Sequence, residues 1–232
     1  NTAVADVLCE FADELEGAED FNEKLRDLLV RTYKENKNII FNGNGYSDEW
    51  VKEATEVRHL PNYVSTVDCV PTYLADKNVE MFEKFRVYSK VEIASRTEVL
   101  LDNYSKVINI EALTMIDMVK KQIYPAVMKY TADVCNALTS MRNAGITNPA
   151  QEKLANKLSG SLNCLNNEVE ELEHILINAK DLSDDVDKLS RFYRDEVFSR
   201  MQSLRAVADE LETIVSEKYW PFPVYSELMF KI

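Results

Sequence analysis

The amino-acid sequence predicts an all-α protein in which short helices and loops are followed by an antiparallel, up-down-up bundle of long helices. Three observations carry this prediction. Five glycines and six prolines are all that punctuate 232 residues, so local propensity favours helix over most of the chain. Apolar residues recur at steps of three and four, the spacing of one helix face. Hydrophobic residues make up 46% of the total, which at this length is enough to bury a core and excludes a disordered chain.

The first helix is expected over Thr2 to Leu15, with Val4, Leu8, Phe11 and Leu15 on its inner face and Gly17 as the stop. A second runs from about Asp20 to Asn36, with Phe21, Leu25, Leu28 and Leu29 inward. Asn38 to Tyr46 is an ordered loop or turn, rich in Asn and Gly residues that tolerate positive φ. Ser47, followed by Asp48 and Glu49, is an N-cap with acids in the first turn. It opens a short helix that carries Trp50 and ends near His59. Leu60 to Leu74 is expected to be extended, and Asp76 to Val87 a short helix.

From Ser89 to Asn143 the chain holds one proline and no glycine, and Leu101, Tyr104, Ile108, Ala112, Met115, Val119, Ile123, Val127, Tyr130, Val134, Leu138 and Met141 lie on one helical stripe. This predicts one helix of roughly 80 Å at ~1.5 Å per residue. Pro125 should kink it, because it removes a backbone donor and crowds the carbonyl one turn earlier. A second stripe, Val107, Ile110, Leu113 and Met118, implies cover on two sides. Gly145 ends the helix, and Asn148 followed by Pro149 restarts the chain as a capped helix. Leu158, Leu162, Leu165, Val169, Leu172, Leu176 and Ala179 then form a heptad seam. A third long helix is expected from about Ser183 to Tyr219, striped by Val186, Leu189, Tyr193, Val197, Met201, Leu204, Ala208, Leu211 and Val215. Short connections force the three rods antiparallel. The aromatic tail from Trp220 to Tyr225 reads as non-helical and in need of a docking surface.

Forty acidic and twenty-seven basic side chains leave a formal charge of −13, which argues against nucleic-acid and anionic-membrane partners because the bases do not cluster beyond Lys120 and Lys121. No stretch approaches a membrane span. The four cysteines, Cys9, Cys69, Cys135 and Cys164, are widely spaced and read as free thiols of a reducing compartment, hence a cytoplasmic protein. The chain opens on Asn, not Met, which suggests a piece of a longer polypeptide.

Motifs that could carry chemistry are few. Glu56 with His59 and Glu171 with His174 both read Glu-x-x-His, a di-metal pattern in bundles. His174 falls about 200° round the helix from Leu172 at 100° per residue and so faces away from the seam, and the other pair ends a short helix. The loop Phe41 to Tyr46 could cradle an anion through its amides, but a tight turn feeding a capped helix is the simpler reading. Arg96 reads as a salt-bridge partner, and the acidic runs Asp184-Asp185 and Glu168 to Glu173 as solvated helix faces. No P-loop, dinucleotide turn or nucleophilic triad is present. No residue is therefore assigned as catalytic, cofactor-binding or metal-binding.

Several phrases taken together resemble the C-terminal region of type III glutamine synthetases. They are the opening Asn1-Thr-Ala-Val-Ala-Asp-Val-Leu8, Ile40-Phe-Asn-Gly-Asn-Gly-Tyr-Ser-Asp-Glu-Trp50, Glu92 to Glu98, Ile110 to Met115, Ile123 to Val127 and Trp220 to Tyr225. The resemblance runs the length of the chain and is weakest from Cys135 to Phe192. It implies a parent enzyme, a homo-oligomer of double hexameric rings, that joins ammonia to glutamate with ATP and Mg²⁺ on catalytic strands upstream of Asn1. Residues 1–88 would close that catalytic domain and residues 89–232 would form a helical extension. The bundle would act as a scaffold against the catalytic domain or neighbouring subunits, with no cofactor of its own. A different reading keeps the chain as a free-standing coiled-coil adaptor, since periodicity alone does not distinguish the two.

Overall fold

The computed structural model describes residues 1–230, and among these every regular element is helical. Two compact units divide between Leu100 and Leu101. The division falls inside a helix at whose start, between 88 and 89, the sequence placed its boundary.

The first unit opens with α1 (Thr2–Leu15) and α2 (Phe21–Asn36). Asp20 caps α2 by accepting from the Glu23 amide at 3.0 Å. Ion pairs tie α1 to α2 through Glu14 and Arg31 at 2.6 Å and to α5 (Asp76–Lys84) through Asp6 and Lys84 at 2.6 Å. The expected inner faces are only half correct. Leu28 is buried, but Val4 is 62% and Leu8 59% exposed, and Phe21 and Leu29 also lie mostly open. No element of this unit covers that side of the pair, so the apolar stripe of α1 has no floor.

The short helix α3 (Asp48–Lys52) is capped by the Ser47 hydroxyl on the Trp50 amide, as expected, and widens into a π-turn over Glu53–Val57. Leu60 to Leu74 is not all extended. Ser65 caps α4 (Thr66–Cys69), which tightens into a 3₁₀ turn over Val70–Leu74. Pro71 lies in the first turn of that element, where its missing donor costs nothing, so proline marked a helix start and not a break. Val67, Val70, Val79 and Ile93 bury here with Leu28.

Helix α6 (Lys90–Met118) begins with a reciprocal capping box, Glu92 accepting from the Ser89 amide at 2.8 Å while Ser89 accepts from the Glu92 amide at 3.4 Å. It continues through a π-turn (Val119–Ile123) into α7 (Tyr124–Asn143). The π-turn stands immediately before Pro125, and its wider register accommodates the missing donor. Gly145, at φ 74°, lets the Ile146 amide reach the Met141 carbonyl at 2.9 Å, closing α7 with a Schellman turn.

The second unit is the bundle. Helix α8 (Pro149–Asn178), capped by Asn148 with Pro149 in its first turn, packs on both α7 and α10 (Ser199–Ile214). Cross-links give the directions. Lys120 meets Glu173 and Arg142 meets Glu152, while Glu168 meets Arg200 and Lys157 meets Glu210. In each couple of pairs one number rises as the other falls, so α8 runs antiparallel to both neighbours, as the short connections require. All the seam positions except half-buried Leu162 are buried, and Leu158, Leu165, Leu172, Leu204 and Leu211 are closed off from solvent.

Three expectations for this unit need correction. The third rod is interrupted: α9 (Val186–Phe192) passes through a π-turn at Tyr193–Phe198 before α10, and no proline or glycine marks the place. It also stops at Ile214, where Val215 turns extended, and not at Tyr219. The second α6 stripe is uncovered, with Ile110 62% and Leu113 52% exposed. Beyond Val215 the chain turns on the Ser216 carbonyl, which accepts from the Tyr219 amide at 2.8 Å. This lays Trp220 and Phe222 on the bundle core before a last helix, α11 (Tyr225–Phe230).

Candidate functional site

Neither Glu-x-x-His pair belongs to a group of three or more His, Cys, Asp or Glu side chains that could hold a metal ion among the described residues. His174 and Glu171 are exposed on the outer face of α8. His59 is exposed at the end of the α3 π-turn, where it adopts φ 55° so that the Leu60 amide reaches the Ala54 carbonyl at 2.8 Å. A residue chosen for the left-handed region is acting as a helix stop. Among the described residues no group of three or more His, Cys, Asp or Glu side chains converges as metal ligands would.

The Phe41 to Tyr46 loop is a turn feeding a capped helix. Asn44 accepts from the Tyr46 amide through its side chain at 3.1 Å and from the Ser47 amide through its carbonyl at 3.3 Å. Neither Gly43 nor Gly45 uses positive φ. A Cβ at Gly43 would meet the Phe41 ring at 2.5 Å, so the residue is small because the ring folds over it.

That ring belongs to a node the sequence did not reveal. Phe41 stacks on Trp50 with centroids 3.7 Å apart, and the Arg58 guanidinium lies 4.8 Å from the Trp50 ring. Arg58 also donates to the carbonyls of Asn38 and Ile40 at 3.1 and 2.8 Å and to Glu53 at 2.6 Å. The residues span 38 to 58, and no periodicity relates them.

Arg96 forms no salt bridge among the described residues, contrary to expectation. Its guanidinium lies over the Tyr88 ring at 4.4 Å. Glu92, one turn earlier, is occupied by the Ser89 amide and hydroxyl, and those bonds, with a smaller contribution from Arg96, hold its carboxyl below the usual range. Arg96 sits at the rim of a cavity of about 410 Å³ between α5 and the first turns of α6. Ile93, Ser95, Arg96, Thr97, Val99 and Leu100 of α6 line it together with Tyr73, Phe82 and Tyr88. Of these, Ile93, Arg96, Thr97 and Leu100 are spaced i, i+3, i+4 and i+7, a signal present in the sequence but hidden by its mixed polarity.

The acidic runs are more than solvated faces. Asp185 caps α9 through the Lys188 amide at 3.0 Å, while Glu168 and Glu173 form the cross-helix pairs to Arg200 and Lys120. Tyr193 reaches across the core to donate to Asn109 at 3.1 Å, and its burial raises the phenol above its ordinary pKa. Tyr219 donates to Asp133, which places the tail base against α7. All four cysteines are free and exposed.

Among the described residues, many of the ionisable side chains pair along one helix face or across neighbouring helices. Comparison with known proteins agrees with the phrases singled out in the sequence. A family model described as the glutamine synthetase C-terminal domain matches residues 24–142, more than half of the chain. This chain belongs to the glutamine synthetase C-terminal domain family. It is 32% identical over 216 residues to a glutamine synthetase of Butyrivibrio fibrisolvens, covering 92% of the chain and 31% of that relative. It is 30% identical over 216 residues to a type-3 glutamine synthetase of Dictyostelium discoideum, covering 90% and 29%. A glutamine synthetase of Bacteroides fragilis is 25% identical over 240 residues, 99% of the chain and 33% of the relative. The chain thus spans about a third of the length of the curated relatives it matches. No helix among the described residues is long and apolar enough to cross a membrane.

Proposed function

We propose that this chain is the non-catalytic C-terminal scaffold of a larger, cytoplasmic glutamine synthetase, which ligates ammonia to glutamate with ATP and Mg²⁺ on residues outside it. The first unit closes the catalytic domain, and the bundle packs on that domain or on a neighbouring subunit of a homo-oligomer. One observation carries the reading: helices end in exposed apolar faces that nothing in their own unit covers. Val4 and Leu8 on α1, Leu29 on α2, and Val107, Ile110 and Leu113 on α6 are each at least 42% exposed. Apolar stripes at helical spacing with no floor are what a helix presents to a partner surface. The family membership supplies the chemistry of that partner, and the share of relatives left uncovered supplies the room for it.

The test has two arms. Glutamine formation by the purified 232-residue chain with glutamate, ammonia, ATP and Mg²⁺ would contradict the reading. In the longer enzyme, Ile110→Asp with Leu113→Asp should cut the assembled species seen by light scattering, while the same pair in the isolated chain leaves its melting temperature within about 2 °C, as for solvated positions. An assembly unaffected by both charges would rule the α6 stripe out as the packing face.

A further inference from the structure

We propose that the cavity between α5 and the start of α6 is a binding site for a small monocarboxylate with an apolar or aromatic body. The walls are mostly hydrocarbon and ring, and about 410 Å³ is the lower part of the range that encloses a small organic ligand. Ser95 and Arg96 in the lining are exposed and Thr97 is buried, and two of these three polar side chains point to a ligand.

The first is Arg96. Its guanidinium is fixed over the Tyr88 ring at 4.4 Å, yet it donates no hydrogen bond among the described residues. A stacked guanidinium keeps its in-plane donors available, and these match a carboxylate in a bidentate fork. The second is Thr97, which is 5% exposed and whose hydroxyl has no partner. Thr32, Thr55, Thr114, Thr131 and Thr139 all donate to the carbonyl one turn back, at 2.8 or 2.9 Å. Thr97 has the same opportunity at Ile93 and does not use it. A buried hydroxyl without a bond is destabilising, so it calls for an acceptor that the protein itself does not supply.

The charge of the ligand follows from the surroundings. Glu92 lies one turn from Arg96 and the chain carries −13 overall, which disfavours a doubly charged phosphate beside a single cation in an apolar pocket. One carboxylate neutralises one guanidinium, and the aromatic walls take the rest of the molecule. The inference does not depend on the scaffold reading above.

The probe is 3-phenylpropionate, titrated into the ¹⁵N-labelled chain, with 3-phenylpropionamide as neutral isostere and inorganic phosphate as competing anion. Saturable shifts confined to residues around 73–100 are expected, with a Kd on the order of 1 mM or tighter for so few contacts. Arg96→Gln should weaken binding by about tenfold or more, Arg96→Lys less, and the amide should bind wild type and Arg96→Gln alike. Thr97→Val should weaken binding a few-fold without lowering the melting temperature, an outcome that a purely structural threonine would not give. Absence of saturation, shifts elsewhere, Arg96→Gln binding as wild type, or phosphate binding as tightly as the carboxylate would each overturn the proposal. So would loss of probe binding in a longer polypeptide carrying the upstream region, because the protein's own chain would then fill the cavity.

Discussion

Leu165→Ala is the most direct test of how the bundle is held together. Leu165 is 0% exposed at the middle of α8, the helix that packs on both α7 and α10. Truncation removes three carbon atoms, about 2.4 kcal/mol of transfer free energy at roughly 0.8 per carbon. The walls belong to long helices tied by the Glu168–Arg200 and Lys120–Glu173 pairs, so they close only partly and a cavity cost is added, for a total of about 3–4 kcal/mol. Urea unfolding followed by helical circular dichroism, with Trp220 emission reporting on the bundle, measures it directly. Leu113→Ala removes the same atoms from a side chain that is 52% exposed, and should change stability by about 0.5 kcal/mol or less. If Leu165→Ala cost under about 1.5 kcal/mol, or Leu113→Ala cost as much as Leu165→Ala, the assignment of inner and outer faces would be wrong.

Asn148→Ala should destabilise the bundle by about 1 kcal/mol, and Asn148→Ser by little, because the cap accepts from the Gln151 amide at 3.3 Å. Arg86 sits at φ 54°, so Arg86→Gly should raise the melting temperature of the first unit, by up to about 1 kcal/mol of relieved strain. Raising the pH above about 10, the ordinary phenol value, should destabilise the bundle. Tyr193 is held neutral by burial, so the unfolded chain loses its proton first and stability falls as pH climbs towards the folded-state value. Tyr193→Phe should flatten that alkaline slope in melts taken across pH 8–12. Arg58→Ala should loosen the Phe41–Trp50 stack, seen as a red shift of Trp50 emission in a Trp220→Phe background, and Arg58→Lys should not restore it, because a point charge replaces a planar fork that reaches two carbonyls.

Residues 24–142 match the family, and the chain spans about a third of the length of each relative. The bundle core is closed by its own seam, while Val107, Ile110 and Leu113 on the outer side of α6 stay exposed. In the first unit, Val4 and Leu8 on α1 and Leu29 on α2 are likewise exposed.

The sequence by itself determined the helical class, the caps at Ser47 and Asn148, the stop at Gly145 and the three inner stripes of the bundle. These are set by local propensity and by a period that each helix imposes on its own residues. Which apolar face would be covered was a matter for the tertiary structure. Val4, Leu8 and Ile110 obey the same spacing as buried residues, and only the position of neighbouring elements tells a floored stripe from an open one. The same holds for the π-turn at Tyr193–Phe198, the end of the third rod at Ile214, and the meeting of Phe41, Trp50 and Arg58. Each depends on contacts between residues far apart in the chain or on a backbone register that packing selects, and neither leaves a periodic trace in the order of amino acids.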